Sequence, residues 1–361
     1  MNDAENPLNF IADKRNAPAP FKTEKLFNVV SEKVLLKNRK ENINLSGVFS
    51  HPAVDYRVPV ALLVSGSGPN NRDEITAENY SIMHLSDFLS RAGVATLRMD
   101  KRGVGESAGD YNKATTENFA EDAYWGVEYL KTVKEIDKTK IGIIGHSEGG
   151  VIATMVAAKD GDVGFVVLMA SLGTGDGSNT LLGTALNHRA DGVSEKLIKI
   201  QQELAARIIK VVKLEKNNEV AKGDIQDIIK SETGKLTEDE KKWVSNLYNI
   251  GMWQGMYKLL SPAVRFITSY DPQKDLSKLN CPVLVLHGEN DTQLPCRENV
   301  SAIEGILRGK ENLQYMVKTF PGLNHLFQES RKGSISEYPQ LEKTIPSYVF
   351  EAITDWITKL Q

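Results

Sequence analysis

Cysteine is nearly absent from this chain. Two residues in 361, Cys281 and Cys296, are too few for a disulfide scaffold and read as two unrelated thiols rather than a bridge. Charge of one sign is not in excess either. Against 47 Asp and Glu stand 44 Lys and Arg, and a formal net charge of −3 gives no electrostatic reason to expect nucleic acid or an anionic membrane as partner. No apolar run approaches the roughly 20 residues that a membrane span needs. The first residues, Met1-Asn2-Asp3-Ala4-Glu5-Asn6-Pro7, lack a basic stretch followed by an apolar one. No signal peptide is therefore visible, and the expected compartment is the cytoplasm, or the periplasm or exterior if a leader has been removed. His51, His84 and His188 have no companions at metal-ligand spacing, so no metal is assigned and no cofactor is expected. Internal repeats and low-complexity segments are missing as well.

What is present is a hydrophobic content of 41%, ample for a large core. Residues 1–22 are polar, carry Pro7, Pro18 and Pro20, and read as an arm. Strand patterns follow over 27–36 and 43–49, the second alternating apolar and polar as a half-exposed strand does. Continuous apolar strands then recur at 58–64, 94–99, 140–144, 165–170 and 282–287, with a last strand at 313–317. Helical patterns lie at 82–89, 118–131, 151–158, 298–307 and 349–360. Strands alternating with helices predict an α/β fold: a mostly parallel sheet with helices on both faces.

The alternation stops between residues 173 and 279, where the sequence is helical and charged. A helix over 194–212 would put Leu197, Ile200, Leu204, Ile208 and Val211 on one face. Thr237-Glu238-Asp239-Glu240 has capping-box spacing before another helix. The expected division is an arm at 1–22, a core at 23–172 and 280–361, and an inserted helical cap at 173–279.

The chemistry centres on Gly145-His146-Ser147-Glu148-Gly149, a G-x-S-x-G pattern set between a β-branched strand and a helix. Alone the pattern is weak, arising by chance in roughly one chain in ten of this length. Strand, sharp turn and helix together make it a nucleophile turn, with Ser147 strained at the strand tip. The N–H of Glu148 would then face a developing oxyanion with the helix dipole behind it. A serine hydroxyl needs a base, and the base needs an acid to orient it. Asp291 lies in the loop after the 282–287 strand, with Glu289 in reserve, and His325 lies in the loop after 313–317. Singly, such an Asp is usually a turn former and such a His usually a solvated side chain. Three strand ends that carry Ser, Asp and His in that chain order favour a catalytic set.

With these pieces, and with Ser65-Gly66-Ser67-Gly68-Pro69-Asn70-Asn71-Arg72-Asp73 and Asp100-Lys101-Arg102-Gly103-Val104-Gly105-Glu106-Ser107, the chain resembles the α/β-hydrolase superfamily from about residue 25 onward. It is nearest in appearance to the serine carboxylesterases. The resemblance implies ester hydrolysis through Ser147, His325 and Asp291, on a small-molecule ester. It also implies a second oxyanion donor, carried over to the N–H of Ser67 with Gly68 as the alternative, although Ser65-Gly66 stands where the family has His-Gly. Arg72, Asp73, Asp100 and Arg102 resemble family positions that brace these loops, and Glu106 reads as a solvated carboxylate. His146 is open to two readings, a pocket wall or a hydrogen-bonded structural histidine. Met252, Trp253 and Met256 lie in an aromatic and Met-rich stretch that reads as a pocket roof or as packing between cap helices. Rival functions are a peptidase or acyltransferase with the same residues, or a non-catalytic binding protein; homo-oligomerisation stays open.

Overall fold

The structure, a computed structural model of the chain, describes residues 26–76, 79–175, 177–249 and 259–360. The expected arm at 1–22 and the roof residues Met252, Trp253 and Met256 lie outside the described residues.

Eight strands form one sheet: β1 (Val29–Asn38), β2 (Ile43–Pro52), β3 (Val58–Val64), β4 (Ala95–Met99), β5 (Ile136–His146), β6 (Phe165–Met169), β7 (Val283–Gly288) and β8 (Tyr315–Phe320). Their spatial order is β1-β2-β4-β3-β5-β6-β7-β8. The β1–β2 and β2–β4 pairs are antiparallel, and all the others in this sheet are parallel. Both β6 and β7 are buried at every position, as central strands covered on both faces must be.

One face of the sheet packs against α2 (Thr116–Leu130), α3 (Glu148–Lys159) and α10 (Cys296–Arg308) through Leu62, Ile143, Val166 and Val285. The other packs against α1 (Ser81–Arg91) and α11 (Ser347–Thr358) through Leu63, Ile144, Val167 and Leu286. Side chains that alternate along each strand thus feed two separate cores, each buried aliphatic side chain contributing about 1.5–3 kcal/mol.

Two boundaries depart from the sequence reading. Strand β5 begins four residues before Lys140, across a register shift in which Val58 pairs with Ile136 but Val60 with Ile141. Its polar lead-in, Asp137-Lys138-Thr139, hides the irregularity. Helix α2 begins at Thr116 because Thr115 caps it: the Asn118 N–H donates to Thr115 Oγ1 at 3.4 Å, and the Thr115 N–H donates to Asn118 Oδ1 at 2.9 Å.

Between β6 and β7 the described elements are all helices: α4 (Ser178–Ala190), α5 (Glu195–Leu214), α6 (Asn218–Thr233), α7 (Glu238–Asn249), α8 (Pro262–Ser269) and α9 (Gln273–Leu276). They build a third apolar cluster of their own around Leu204, Ile208, Val212, Ala221, Ile225, Val244 and Leu260. The buried line of α5 runs through Ile198, Leu204, Ile208 and Val212; Leu204 and Ile208 of the expected face lie on it, and Leu197, Ile200 and Val211 flank it half-buried. The capping box of α7 forms, with the Thr237 N–H donating to Glu240 Oε2 at 2.9 Å. Helix α4 is tied to the core through Asn187, whose Oδ1 accepts the Ile335 N–H at 2.8 Å and the Thr292 hydroxyl at 3.4 Å. Among the described residues no helix is long and apolar enough to cross a membrane.

Candidate active site

The carboxyl ends of β3, β5, β7 and β8 converge on Ser147. Its backbone lies at φ 55° and ψ −119°, a conformation that a residue with a Cβ avoids unless its surroundings impose it. They do so here. The Ser147 N–H donates to the Met169 carbonyl at 2.9 Å, and α3 starts immediately after it. A Cβ on Gly149 would lie 2.2 Å from the Val64 carbonyl oxygen, so the turn closes only with glycine there.

The hydroxyl of Ser147 is half-buried, and His325 Nε2 is 3.1 Å from its Oγ. His325 Nδ1 lies 2.7 Å from Asp291 Oδ2. A carboxylate can only accept, so Nδ1 carries the proton and the Nε2 lone pair faces the serine. Asp291 is held in turn: its Oδ1 accepts the N–H groups of Gln293 at 2.8 Å and Leu294 at 2.9 Å. A second imidazole, His287, shares its Nε2 proton between the Leu294 carbonyl at 2.7 Å and Asp291 Oδ2 at 3.1 Å. Burial pushes the Asp291 carboxyl up, but electrostatic attraction to His325 and the hydrogen bonds from both histidines outweigh it and hold the group well below the usual carboxylate range. Glu289, the reserve acid, points elsewhere: it is exposed and accepts the Thr319 hydroxyl at 2.7 Å.

The loop after β3 lies opposite. Ser67 is exposed and Gly68, at φ 113°, half-buried. Glu74 accepts the Gly66 N–H at 2.5 Å and the Ser81 hydroxyl at 3.0 Å. Its Oε1 is 3.4 Å from Nδ1 of His146, whose Nε2 lies 2.9 Å from the His325 carbonyl. The His146 ring is therefore buried, with both nitrogens occupied, rather than open to a ligand. On the other side of the loop, Lys101 Nζ donates to the Gly66 carbonyl at 2.5 Å. The same ammonium is 3.5 Å from Glu148 Oε2, and Thr116 donates to Glu148 Oε1 at 2.8 Å.

Ion pairs brace the loops from outside. Arg72 grips Asp100 through Nε at 3.0 Å and a terminal nitrogen at 2.5 Å, and Asp73 pairs with Arg98. Arg102 binds Asp122 at 2.7 and 2.8 Å and also Glu41. Glu106 is exposed, yet hydrogen bonds from Lys33 and Arg72 lower its carboxyl to about 2. Cys281 and Cys296 are both free thiols.

Sequence reasoning missed Glu74, Lys101 and Thr116, and it did not find the second imidazole on Asp291. None carries a periodicity or spacing signal. Glu74, Lys101 and Thr116 matter through contacts with residues far away in the chain, whereas His287 stands only four residues before the carboxylate it touches.

A mostly parallel eight-stranded sheet, with a strained serine at one strand tip and a histidine and an aspartate at two others, defines an α/β hydrolase. The chain belongs to the serine aminopeptidase S33 family, whose family model matches residues 77–329. It is similar to the esterase EstD of Thermotoga maritima, with 24% identity over 318 residues that cover 87% of this chain and 66% of that esterase. Slightly under two thirds of EstD is thus spanned. Among solved structures it is similar to DcsB in complex with a substrate analogue (TM-score 0.55, 17% identity, 92% of this chain and 99% of that one). It is also similar to Est1E of Butyrivibrio proteoclasticus with bound ferulic acid (TM-score 0.52, 18% identity, 91% and 98% covered).

Proposed function

We propose that this hydrolase is a serine esterase acting on small carboxylic esters through an acyl-enzyme. The observation that carries the reading is the unbroken line from Asp291 to His325 at 2.7 Å and from His325 to Ser147 at 3.1 Å. His325 Nε2 takes the Ser147 proton as Oγ bonds to the acyl carbon, and the N–H groups of Glu148 and Ser67 hold the resulting oxyanion. The same proton passes to the leaving alcohol as its C–O bond breaks. A water molecule, giving its proton to His325, then attacks the acyl carbon; as the bond from that carbon to Oγ breaks, the proton passes from His325 to Oγ, which releases the acid and restores Ser147. Asp291 stabilises the imidazolium throughout.

The described helices between β6 and β7 act in this reading as a cap over the core that the sheet and its flanking helices form. The similarity to the esterase EstD supports an ester as substrate. A second reading, cleavage of an N-terminal amino-acid amide by the same residues, is favoured by the aminopeptidase description of the family.

The test is fluorophosphonate labelling, together with a panel of aryl esters of graded acyl length beside aminoacyl arylamides. Wild type should label and should turn over esters faster than amides. Ser147→Ala should abolish labelling and lower kcat by roughly 10⁴- to 10⁶-fold. Faster amide turnover would move the protein to the peptidase reading. A wild type that never labels would favour a binding protein.

A further inference from the structure

We propose that Lys101 is a positioning residue that holds the two walls of the oxyanion hole in register, an inference that rests on the serine-hydrolase reading above. The two N–H groups assigned to the hole come from distant parts of the chain, Ser67 in the loop after β3 and Glu148 at the start of α3. One ammonium reaches both parts: Lys101 Nζ donates to the Gly66 carbonyl at 2.5 Å and sits 3.5 Å from the Glu148 carboxylate.

The geometry of the peptide turns that contact into control of a donor. The Gly66 carbonyl and the Ser67 N–H belong to one planar trans peptide and point in opposite directions, so fixing the first aims the second. Asn70 Nδ2 adds a second donor to the same carbonyl at 2.9 Å, and Glu74 takes the Gly66 N–H of the preceding peptide at 2.5 Å. An ammonium on the carbonyl also polarises the amide and strengthens its N–H as a donor. On the other wall Thr116 fixes the second oxygen of Glu148 at 2.8 Å, so the carboxylate that Lys101 touches is itself immobile.

The placement is costly, which argues that the charge is used. The Lys101 side chain is 7% exposed and its Nζ lies 4.8 Å from the centroid of the Phe119 ring, a contact that offsets only part of the cost of desolvating an ion where an apolar side chain would pack without one. Burial pulls the ammonium below the usual lysine range, although the Glu148 and Glu74 carboxylates oppose this.

The experiment compares wild type, Lys101→Met and the double variant Lys101→Met/Glu148→Gln on one aryl ester. It uses an alkylboronic acid as a tetrahedral analogue and thermal melting as the check on folding. Lys101→Met should lose roughly 10- to 100-fold in kcat, less than deletion of a donor, with KM within about twofold of wild type. Boronate affinity should fall in proportion to kcat/KM. The double variant leaves no buried carboxylate unpaired; it should regain stability but stay slow, and it decides the matter if the single variant does not fold. A folded Lys101→Met with wild-type kcat, a change confined to KM, or a double variant with kcat restored would each reduce Lys101 to a charge partner of Glu148 and overturn the inference. A wild type that neither labels with fluorophosphonate nor cleaves any ester would overturn the hydrolase reading, and this inference with it.

Discussion

Glu74 and His146 form a buried pair whose protonation follows from its partners. His146 faces the His325 carbonyl through Nε2 and the Glu74 carboxylate through Nδ1, two acceptors that only an imidazolium with both N–H groups can satisfy. Burial opposes the charge on each ring and carboxyl, but their mutual attraction and hydrogen bond outweigh it, raising His146 and lowering Glu74. The sign of the linkage follows. The Glu74 contribution is present above its ordinary value of 4.5 and is lost as pH falls through its depressed folded value. The His146 contribution is present below 6.5 and is lost as pH rises through its elevated folded value. Glu74→Gln keeps an acceptor for the Gly66 N–H, removes the charge, and puts an amide donor where an oxygen had accepted the Ser81 hydroxyl. It should cost on the order of 3 kcal/mol between those two values, shrinking on either side. Urea unfolding of both proteins across pH 3–9 measures this, and a difference that does not vary with pH would mean an uncharged pair.

At the scale of an element, the turn from β5 into α3 depends on backbone approaching backbone. Ser147 takes φ 55° because the chain on either side leaves no room for a wider bend. The Gly149 Cβ position, 2.2 Å from the Val64 carbonyl oxygen, cannot be relieved by rotating a side chain, since the obstacle is a central strand. Gly149→Ala should therefore lose at least ~2 kcal/mol of stability and displace the serine. Gly161→Ala is the control, with nothing within 4 Å of its Cβ position, and should be nearly neutral. Thermal melts of the two variants beside wild type read the difference; equal melting temperatures would mean that the strand and helix can move apart.

At the scale of the whole molecule, three apolar clusters stand out among the described residues, two on the faces of the sheet and one inside the helices between β6 and β7. The third shares no residue with the others, so the insertion has the packing of a unit that can open by itself. Leu204, 1% exposed, lies within it. Leu204→Ala should cost about 2–5 kcal/mol. Amide hydrogen exchange should quicken through α5 and α6, with the amides of β5, β6 and β7 unchanged. Exchange that quickens equally in the central strands would instead mean one cooperative body.

The sequence alone determined the layered architecture, the glycine-flanked serine turn and the order of Ser147, Asp291 and His325 along three strand ends. Those features are written in neighbouring residues: hydrophobic period separates strand from helix, and the sterics of a tight bend demand glycine at particular positions. Even there, a polar lead-in hid the start of β5, and the buried line of α5 took in Ile198 and Val212 beside the expected Leu204 and Ile208, because burial depends on what packs alongside. Only the tertiary structure decided what each polar side chain touches. Lys101 meets Gly66 across 35 residues, Glu74 meets His146 across 72, and His146 meets the carbonyl of His325 across 179. Contacts at such separations are set by strand order and by the loops that it gathers at one edge, and no local pattern in the chain records them.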